Sequence, residues 1–327
     1  MSAPFPPLAA TADRVGTDLD VNVGAWGLLT ALVIVMLVVD LLIFGRGRRE
    51  VTLRESVIWS VVWIALAFGF WLLMWAWQGA DAGSEYLTGY LLERSLSLDN
   101  IFVFAIIFGY FAVPAAVQPR VLAWGIALAL SLRLVFIVAG AALLANFHAT
   151  FYLFGALLLY TAYKLARHDE TDVDPEHNPA LRFVRKHVPM SADYRGHRLF
   201  TTEHGRRVAT PLVAVFVVVA TTDLIFAIDS IPAIFAITQE PFVVFAANAF
   251  AMLGLRALYF VLVGMMDRFV YLSQGLAVIL AVIGAKMLLI DVWHPPIWLS
   301  LAIIAAVLAA TAALSLRAAP PEAPRGA

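Results

Sequence analysis

Cysteine is absent from all 327 residues. Without a thiol the chain has no disulfide framework, no thiolate nucleophile and no soft sulfur site for copper or zinc. Charge is scarce as well: 14% of residues are Asp, Glu, Lys or Arg, while 62% are hydrophobic. Soluble domains carry roughly one quarter charged residues, so the composition argues against one. The histidines fall in connections or at their edges, and the apolar segments hold no histidine or serine constellation for hydrolysis. Gly-x-Gly-Asp, expected of an intramembrane aspartyl protease, is missing too, and no enzyme is expected. No bound cofactor is expected either. The net charge of -1 is uninformative for a membrane protein, where the distribution of charge carries the signal, and no nucleic-acid partner is expected. Residues 1–24 are polar and Pro-rich with no basic leader and no cleavage-like pattern, so the first apolar helix is expected to be the insertion signal.

What the chain has is apolar length. Runs of about 20 residues recur throughout, each long enough to cross a ~30 Å hydrocarbon core. They lack the polar outer faces that helices of a large soluble core would need. The expectation is an all-α polytopic membrane protein of about nine transmembrane helices: 25–45, 57–77, 86–113, 119–145, 149–166, 209–237, 241–266, 271–290 and 297–316. Arg46, Arg48, Arg49 and Arg54 crowd the first connection, and eight basic residues lie in the long one, residues 167–207. The alternate connections carry only Asp81, Glu85, Glu240 and Asp291. Basic connections stay inside, which puts the N-terminus outside and the C-terminus inside. Within 167–207, Asp169, Glu170, Asp172, Asp174, Glu176 and His177 offer a metal-sensor reading, but such a charge run is usually just solvated. Residues 317–327 read as a disordered tail.

Two matched patterns interrupt the apolar sequence. Glu93 and Asp99 stand six residues apart, as do Asp223 and Asp229, and the second acid of each pair is followed by a polar residue, Asn100 or Ser230. A helix with Leu132-Arg133 follows the first pattern and one with Leu255-Arg256 follows the second; each is followed by a helix opening near a glycine and ending near a lysine. The units span 86–166 and 209–290, with residues 25–77 as two accessory helices and 297–316 as the last. A three-helix unit has an odd number of crossings, so its repeat inserts upside down. Inverted repeats meeting at midplane polar groups are a recurring plan of secondary transporters.

An ionised carboxylate in hydrocarbon costs several kcal/mol, which marks these acids as functional or paired. Simple pairing of Asp99 and Asp229 with Arg133 and Arg256 leaves a surplus: four acids, five with Asp40, face two mid-helix arginines. A cation or protons must supply the balance. Carboxylate, hydroxyl and amide oxygens, with Asn248 at similar depth, suit Mn²⁺, Mg²⁺ or Ca²⁺ better than copper or zinc. Residues six apart lie about 120° from sharing a helix face, so both acids of a pair reach one cavity only if the helix breaks or the bundle surrounds it. Pro232 frees a carbonyl in the preceding turn and is expected to interrupt its helix. Asp40 lies close enough to its helix end to snorkel, and Lys164 and Lys286 read as interface anchors.

The segments Glu93-Arg-Ser-Leu-Ser-Leu-Asp-Asn-Ile-Phe-Val-Phe104 and Thr222-Asp-Leu-Ile-Phe-Ala-Ile-Asp-Ser-Ile-Pro-Ala-Ile-Phe-Ala-Ile-Thr238 resemble the signature segments of the TerC/Alx family. Ala209-Thr-Pro-Leu212 and Phe250-Ala-Met-Leu-Gly-Leu-Arg-Ala-Leu-Tyr-Phe260 match as well. The resemblance spans about residues 25–316. It implies an integral protein of the bacterial cytoplasmic membrane related to the LysE transporter superfamily, whose relatives are associated with Mn²⁺ efflux, alkaline pH and tellurite resistance. The family's motif acids correspond to Glu93, Asp99, Asp223 and Asp229; Ala220 stands where relatives often have Glu.

The expected function is divalent-cation export, Mn²⁺ foremost, through a midplane site shared by the helices at 86–113 and 209–237. Asp99 and Asp229 are the expected direct ligands, Glu93 and Asp223 further ligands or gates, and Asn100 and Ser230 oxygen donors. Arg133, Arg256, Asp40 and Asn248 support them. Proton antiport is a hypothesis of this reading. The alternative is a membrane scaffold or assembly factor for other membrane or exported proteins, which would depend on 167–207 rather than on the acids.

Overall fold

The computed structural model describes residues 17, 19, 21–45, 52–167, 178–191, 193–196, 198–203, 206–263, 271–292 and 295–318; the side chains of Ile43, Phe44, Asp99 and Leu316 lie outside the description. Eleven helices and one hairpin make up the described residues: α1 (Val23–Gly45), α2 (Leu53–Gln78), α3 (Ala80–Tyr110), α4 (Gln118–Asn146), α5 (Ala149–Arg167), α6 (Pro179–His187), β1 (Phe200–Glu203), β2 (Arg206–Ala209), α7 (Pro211–Phe235), α8 (Pro241–Met252), α9 (Leu255–Leu262), α10 (Leu272–Leu288) and α11 (Ile297–Ala318). Six of these helices are long and apolar enough to cross a membrane, and α8 with α9 would make a seventh if the bent pair is one span. The chain is an all-α polytopic membrane protein.

Local chemistry sets many of the helix starts. Thr52 and Glu55 form a capping box that opens α2: each side chain accepts the other's backbone N–H. Proline in the first turn opens α4, α6, α7 and α8, where its missing N–H would have no helical partner anyway. The central layer is α3 packed against α7 and α8, with α4 alongside α7, α2 against α3 and α9, and α5 along α10. In that last pair the backbones touch: a Cβ on Gly155 would stand 3.0 Å from the Gly284 carbonyl oxygen, and one on Gly284 3.0 Å from the Gly155 oxygen.

Three expectations about the helices change. The run 241–266 is not one helix: α8 and α9 meet at a 41° bend. Gly254 takes φ +83°, where any side chain is strained, and a Cβ there would fall 2.6 Å from Trp63 of α2. Arg94 of α3 donates to the Ala251 carbonyl at 2.8 Å, satisfying an oxygen that the break exposes. At Pro232 the opposite holds, for α7 runs through the proline unbroken to Phe235. α3 starts at Ala80 rather than at 86, which carries Glu85 into a helix.

Between α5 and α7 the described part of 167–207 holds α6 and the antiparallel β1–β2 hairpin, with Phe200 opposite Ala209 and the Arg207 guanidinium 4.6 Å over the Phe200 ring. The acids from Asp169 to Glu176, with His177, lie outside the described residues, as does the tail from residue 319.

Candidate cation site

α3, α4 and α7 bring three charged side chains together in the bundle's interior. Glu93 is fully buried, as are Arg133 and Asp223 to within a few per cent. The Arg133 guanidinium donates through Nη1 to Glu93 Oε1, forming an ion pair, and also to Ser230 Oγ at 3.1 Å. Its Nε stands 3.9 Å from Asp223 Oδ2. Glu93 Oε2 and both Asp223 oxygens are buried and accept no hydrogen bond. Two carboxylates thus share one guanidinium and leave three oxygens bare. Buried charge is normally paired and hydrogen-bonded, so this arrangement is one cation or proton short.

A cavity of about 70 Å³ adjoins the cluster, its polar lining Asn100, Arg133, Thr161, Asp229 and Ser230 and the rest of its wall apolar, from Leu96, Leu165, Phe226 and Leu280. At ~30 Å³ per liquid water it has room for a dehydrated or singly hydrated small cation. Asp229 Oδ1 accepts from Thr161 Oγ1 of α5 at 2.8 Å. Three helices therefore contribute oxygen here: α3 through Asn100, α5 through Thr161, and α7 through Asp229 and Ser230. Hard oxygens in this number suit an alkaline-earth-like or Mn²⁺ ion.

Other expected residues fall elsewhere. Asp99 lies on α3 one residue before Asn100, and its side chain is outside the description. Arg256 does not approach the site. It pairs with Asp40 Oδ2 at 2.6 Å, donates to the Asp40 carbonyl, and reaches Pro119 O at 3.3 Å, tying α9 to α1 and the start of α4. Asp40 is thus a buried structural partner rather than a snorkelling end. Asn248 of α8 is fully buried with neither amide atom hydrogen-bonded. Ser95 is spent on its own helix, donating to Leu91 O at 2.5 Å, and Thr221 on Val217 O at 2.8 Å. Among the described residues no group of three or more His, Cys, Asp or Glu forms a ready metal cage. The oxygens here come instead from two adjoining subclusters, Glu93–Asp223 and Asp229–Asn100–Thr161, which Arg133 and Ser230 join.

The sequence reading missed Thr161, whose hydroxyl reaches Asp229 from a helix with no acid motif. It also missed that Glu85 is fully buried. For Thr161 no sequence signal pointed to the site. For Glu85 one did: the uninterrupted helix-forming stretch from Ala80, immediately after Gly79.

The similarity findings agree with this architecture. The model of the integral membrane protein TerC family matches residues 78–322. "Uncharacterized membrane protein STKORF319" of Myxococcus xanthus is 44% identical over 293 residues, covering 90% of this chain and 92% of its own length. Proteins named "Putative membrane-bound redox modulator Alx" match from Photorhabdus laumondii subsp. laumondii, 43% identical over 88% of this chain and 92% of theirs, and from Escherichia coli (strain K12), 42% identical over 91% and 94%. No solved structure matches significantly. With three quarters of its length matched to the family model, the chain belongs to the integral membrane protein TerC family.

Proposed function

We propose that this protein exports a hard divalent cation, Mn²⁺ foremost, across the cytoplasmic membrane, using the Glu93–Arg133–Asp223 cluster and the adjoining Asp229 cavity. The observation that carries the reading is the charge deficit at the centre: two buried carboxylates on one guanidinium, three oxygens bare. A structural ion pair needs no such surplus, whereas a binding site for a cation that comes and goes does. Asp99 joins the site in this reading as its sequence partner to Asp229.

The inverted-repeat plan fits the packing. Units α3–α5 and α7–α10 each run from a motif helix to a glycine-containing helix. Motif helix packs on motif helix, α3 on α7, and third helix on third helix, α5 on α10. The basic connections support an orientation with the N-terminus outside and the C-terminus inside. In transport, the cation takes oxygens from Glu93, Asp223 and Asp229 while protons occupy them in its absence. Exchange of one divalent cation for two protons is electroneutral and removes the cost of a bare charge in either state. A thiol-based redox role is closed to this chain, which has no cysteine.

The test is Mn²⁺ flux in proteoliposomes with and without a pH gradient, wild type beside Asp99→Asn, Asp223→Asn and Asp229→Asn. Loss of gradient-dependent flux in the variants, with normal membrane insertion, is the expected result. Wild-type flux in Asp223→Asn and Asp229→Asn would overturn the site.

A further inference from the structure

Away from the buried acids, a second cavity lies where α4 and α7 begin. Its volume is about 340 Å³, within the roughly 300–1,000 Å³ typical of small-molecule sites. Val121 and Trp124 of α4 and Leu212 and Phe216 of α7 line it, and Leu199, next to β1, adds a further apolar side chain. The charged lining residue is Arg120, one turn before Trp124 and on the same face of α4.

This cavity faces lipid. Trp124 is 55% exposed, and the same face of α4 stays exposed through Leu128, Ser131 and Val135. In a bilayer that stripe meets acyl chains, with Trp124 at the interfacial depth where tryptophan concentrates. The rim at Leu199 is fixed by hydrogen bonds. The Thr210 N–H donates to the Leu199 carbonyl at 2.8 Å, and its hydroxyl to the Arg198 carbonyl at 2.7 Å. The Tyr194 hydroxyl donates to the Phe111 carbonyl at 2.7 Å, fastening the same segment to the end of α3. Charge at this rim is one-sided. Arg195, Arg198, Arg206 and Arg207 stand against Asp193 and Glu203, and Arg195 already takes Glu203 at 3.7 Å. Among the described residues no ion pair involves Arg120, and neither α4 nor α7 has an acid in its first turn.

We propose that this cavity binds an anionic phospholipid of the cytoplasmic leaflet, its phosphate on Arg120 and an acyl chain between α4 and α7 along Trp124 and Phe216. A guanidinium fork matches phosphate oxygens, and basic pockets between membrane helices on the cytoplasmic side suit anionic headgroups. A zwitterionic lipid also carries a phosphate, but its ammonium is repelled by the same arginines, so the site selects net negative charge. The orientation supported by the basic connections sets the leaflet; the exporter reading is not needed.

Trp124 serves as the reporter. Purified full-length protein is placed in phosphatidylcholine vesicles holding a minor fraction of phosphatidylglycerol, with bromine, a contact quencher of indole, on the acyl chains of one lipid or the other. The Trp124 signal is the difference between wild type and Trp124→Phe. At low ionic strength, brominated phosphatidylglycerol is expected to quench it about fivefold more effectively per molecule than brominated phosphatidylcholine, the preference expected of one arginine at an anionic headgroup. That preference should vanish in Arg120→Gln, fall in Leu199→Asp, and persist in Arg120→Lys and in Arg54→Gln, which removes a charge on α2 outside the cavity. Equal quenching by the two lipids in wild type would reduce the groove to ordinary lipid contact and overturn the proposal. A preference left intact by both Arg120→Gln and Leu199→Asp, or lost equally in Arg54→Gln, would overturn it too. Trp124 quenched by neither lipid, in a protein that runs as a dimer, would assign the groove to a second copy of the chain instead.

Discussion

Arg133→Met removes the positive charge from the centre and leaves Glu93 and Asp223 buried together. At 3.9 Å from Asp223 Oδ2 the guanidinium contributes about 4 kcal/mol of attraction at an effective dielectric constant near 20. Glu93 is closer still. Much of this gain offsets desolvation, and breaking one buried pair costs about 3–5 kcal/mol net because a charge is left alone. At roughly 2–4 °C per kcal/mol the melting temperature in detergent should fall by about 10 °C. Tryptophan fluorescence reports it, with nine Trp in the chain. The informative variant is the triple, Arg133→Met with Glu93→Gln and Asp223→Asn. It removes every charge of the cluster and should recover most of the loss, since neutral replacement of a buried ion group is often nearly free. A single-variant shift under about 2 °C, or a triple variant less stable than Arg133→Met, would refute the coupling. A triple variant that is stable yet transports nothing would separate the cluster's structural role from its functional one.

Thr161→Val deletes the hydroxyl on Asp229 at nearly constant volume; apparent Mn²⁺ affinity in the flux assay should change by about tenfold or more, as expected for one hydrogen bond to a charged group of about 1.5–3 kcal/mol, with expression unchanged. Gly254→Ala places a Cβ at φ +83° and 2.6 Å from Trp63, so stability should drop by about 2–4 kcal/mol in thermal unfolding, and a shift no larger than that of an exposed helix substitution would count against the break as described. Asn178→Ala removes both the α6 cap on Ala180 and Leu181 and the 2.8 Å bond to Thr221, which should cost about 1 kcal/mol locally. Limited proteolysis between α5 and α7 should accelerate accordingly, and an unchanged cleavage rate would mean that α6 is held by other contacts.

How far the sequence carried is clearest at particular residues. The membrane class was legible because apolar length and missing charge are compositional, and four acids in two matched places pointed to the site before any contact was known. Partner choice was not legible. Arg133 meets Glu93 and Asp223, and Arg256 meets Asp40 of α1, because the angle between helices, not the spacing along one, decides which side chains meet. Breaks were misjudged for a related reason. Pro232 looked like the interruption, yet a proline near a helix end displaces few hydrogen bonds, and α7 stops soon after it. The actual break at Gly254 packs against Trp63 from α2, and Arg94 of α3 donates to the Ala251 carbonyl beside it, both residues distant in sequence. Glu85 read as a loop acid because orientation counting assigns charges to connections, whereas it is buried on α3 with the Thr17 N–H and hydroxyl donating to its Oε1.

The same arginine that balances the core also gives the exporter reading a way to couple binding to movement. Arg133 joins α4 to α3 through Glu93 and to α7 through Ser230 and Asp223, so it spans the two motif helices. A divalent cation entering between Glu93 and Asp223 competes for oxygens the guanidinium now holds, and like charges cannot share them without cost. Cation binding and release of the arginine are then a single exchange, and a conformation in which Arg133 has turned away is favoured only while the cation or protons remain. That is the condition a ligand must meet to shift a conformational equilibrium: different interaction energies with the two states. Arg256 lies outside this exchange: it pairs with Asp40 and donates to the Asp40 and Pro119 carbonyls, contacts that hold α9 to α1 and α4.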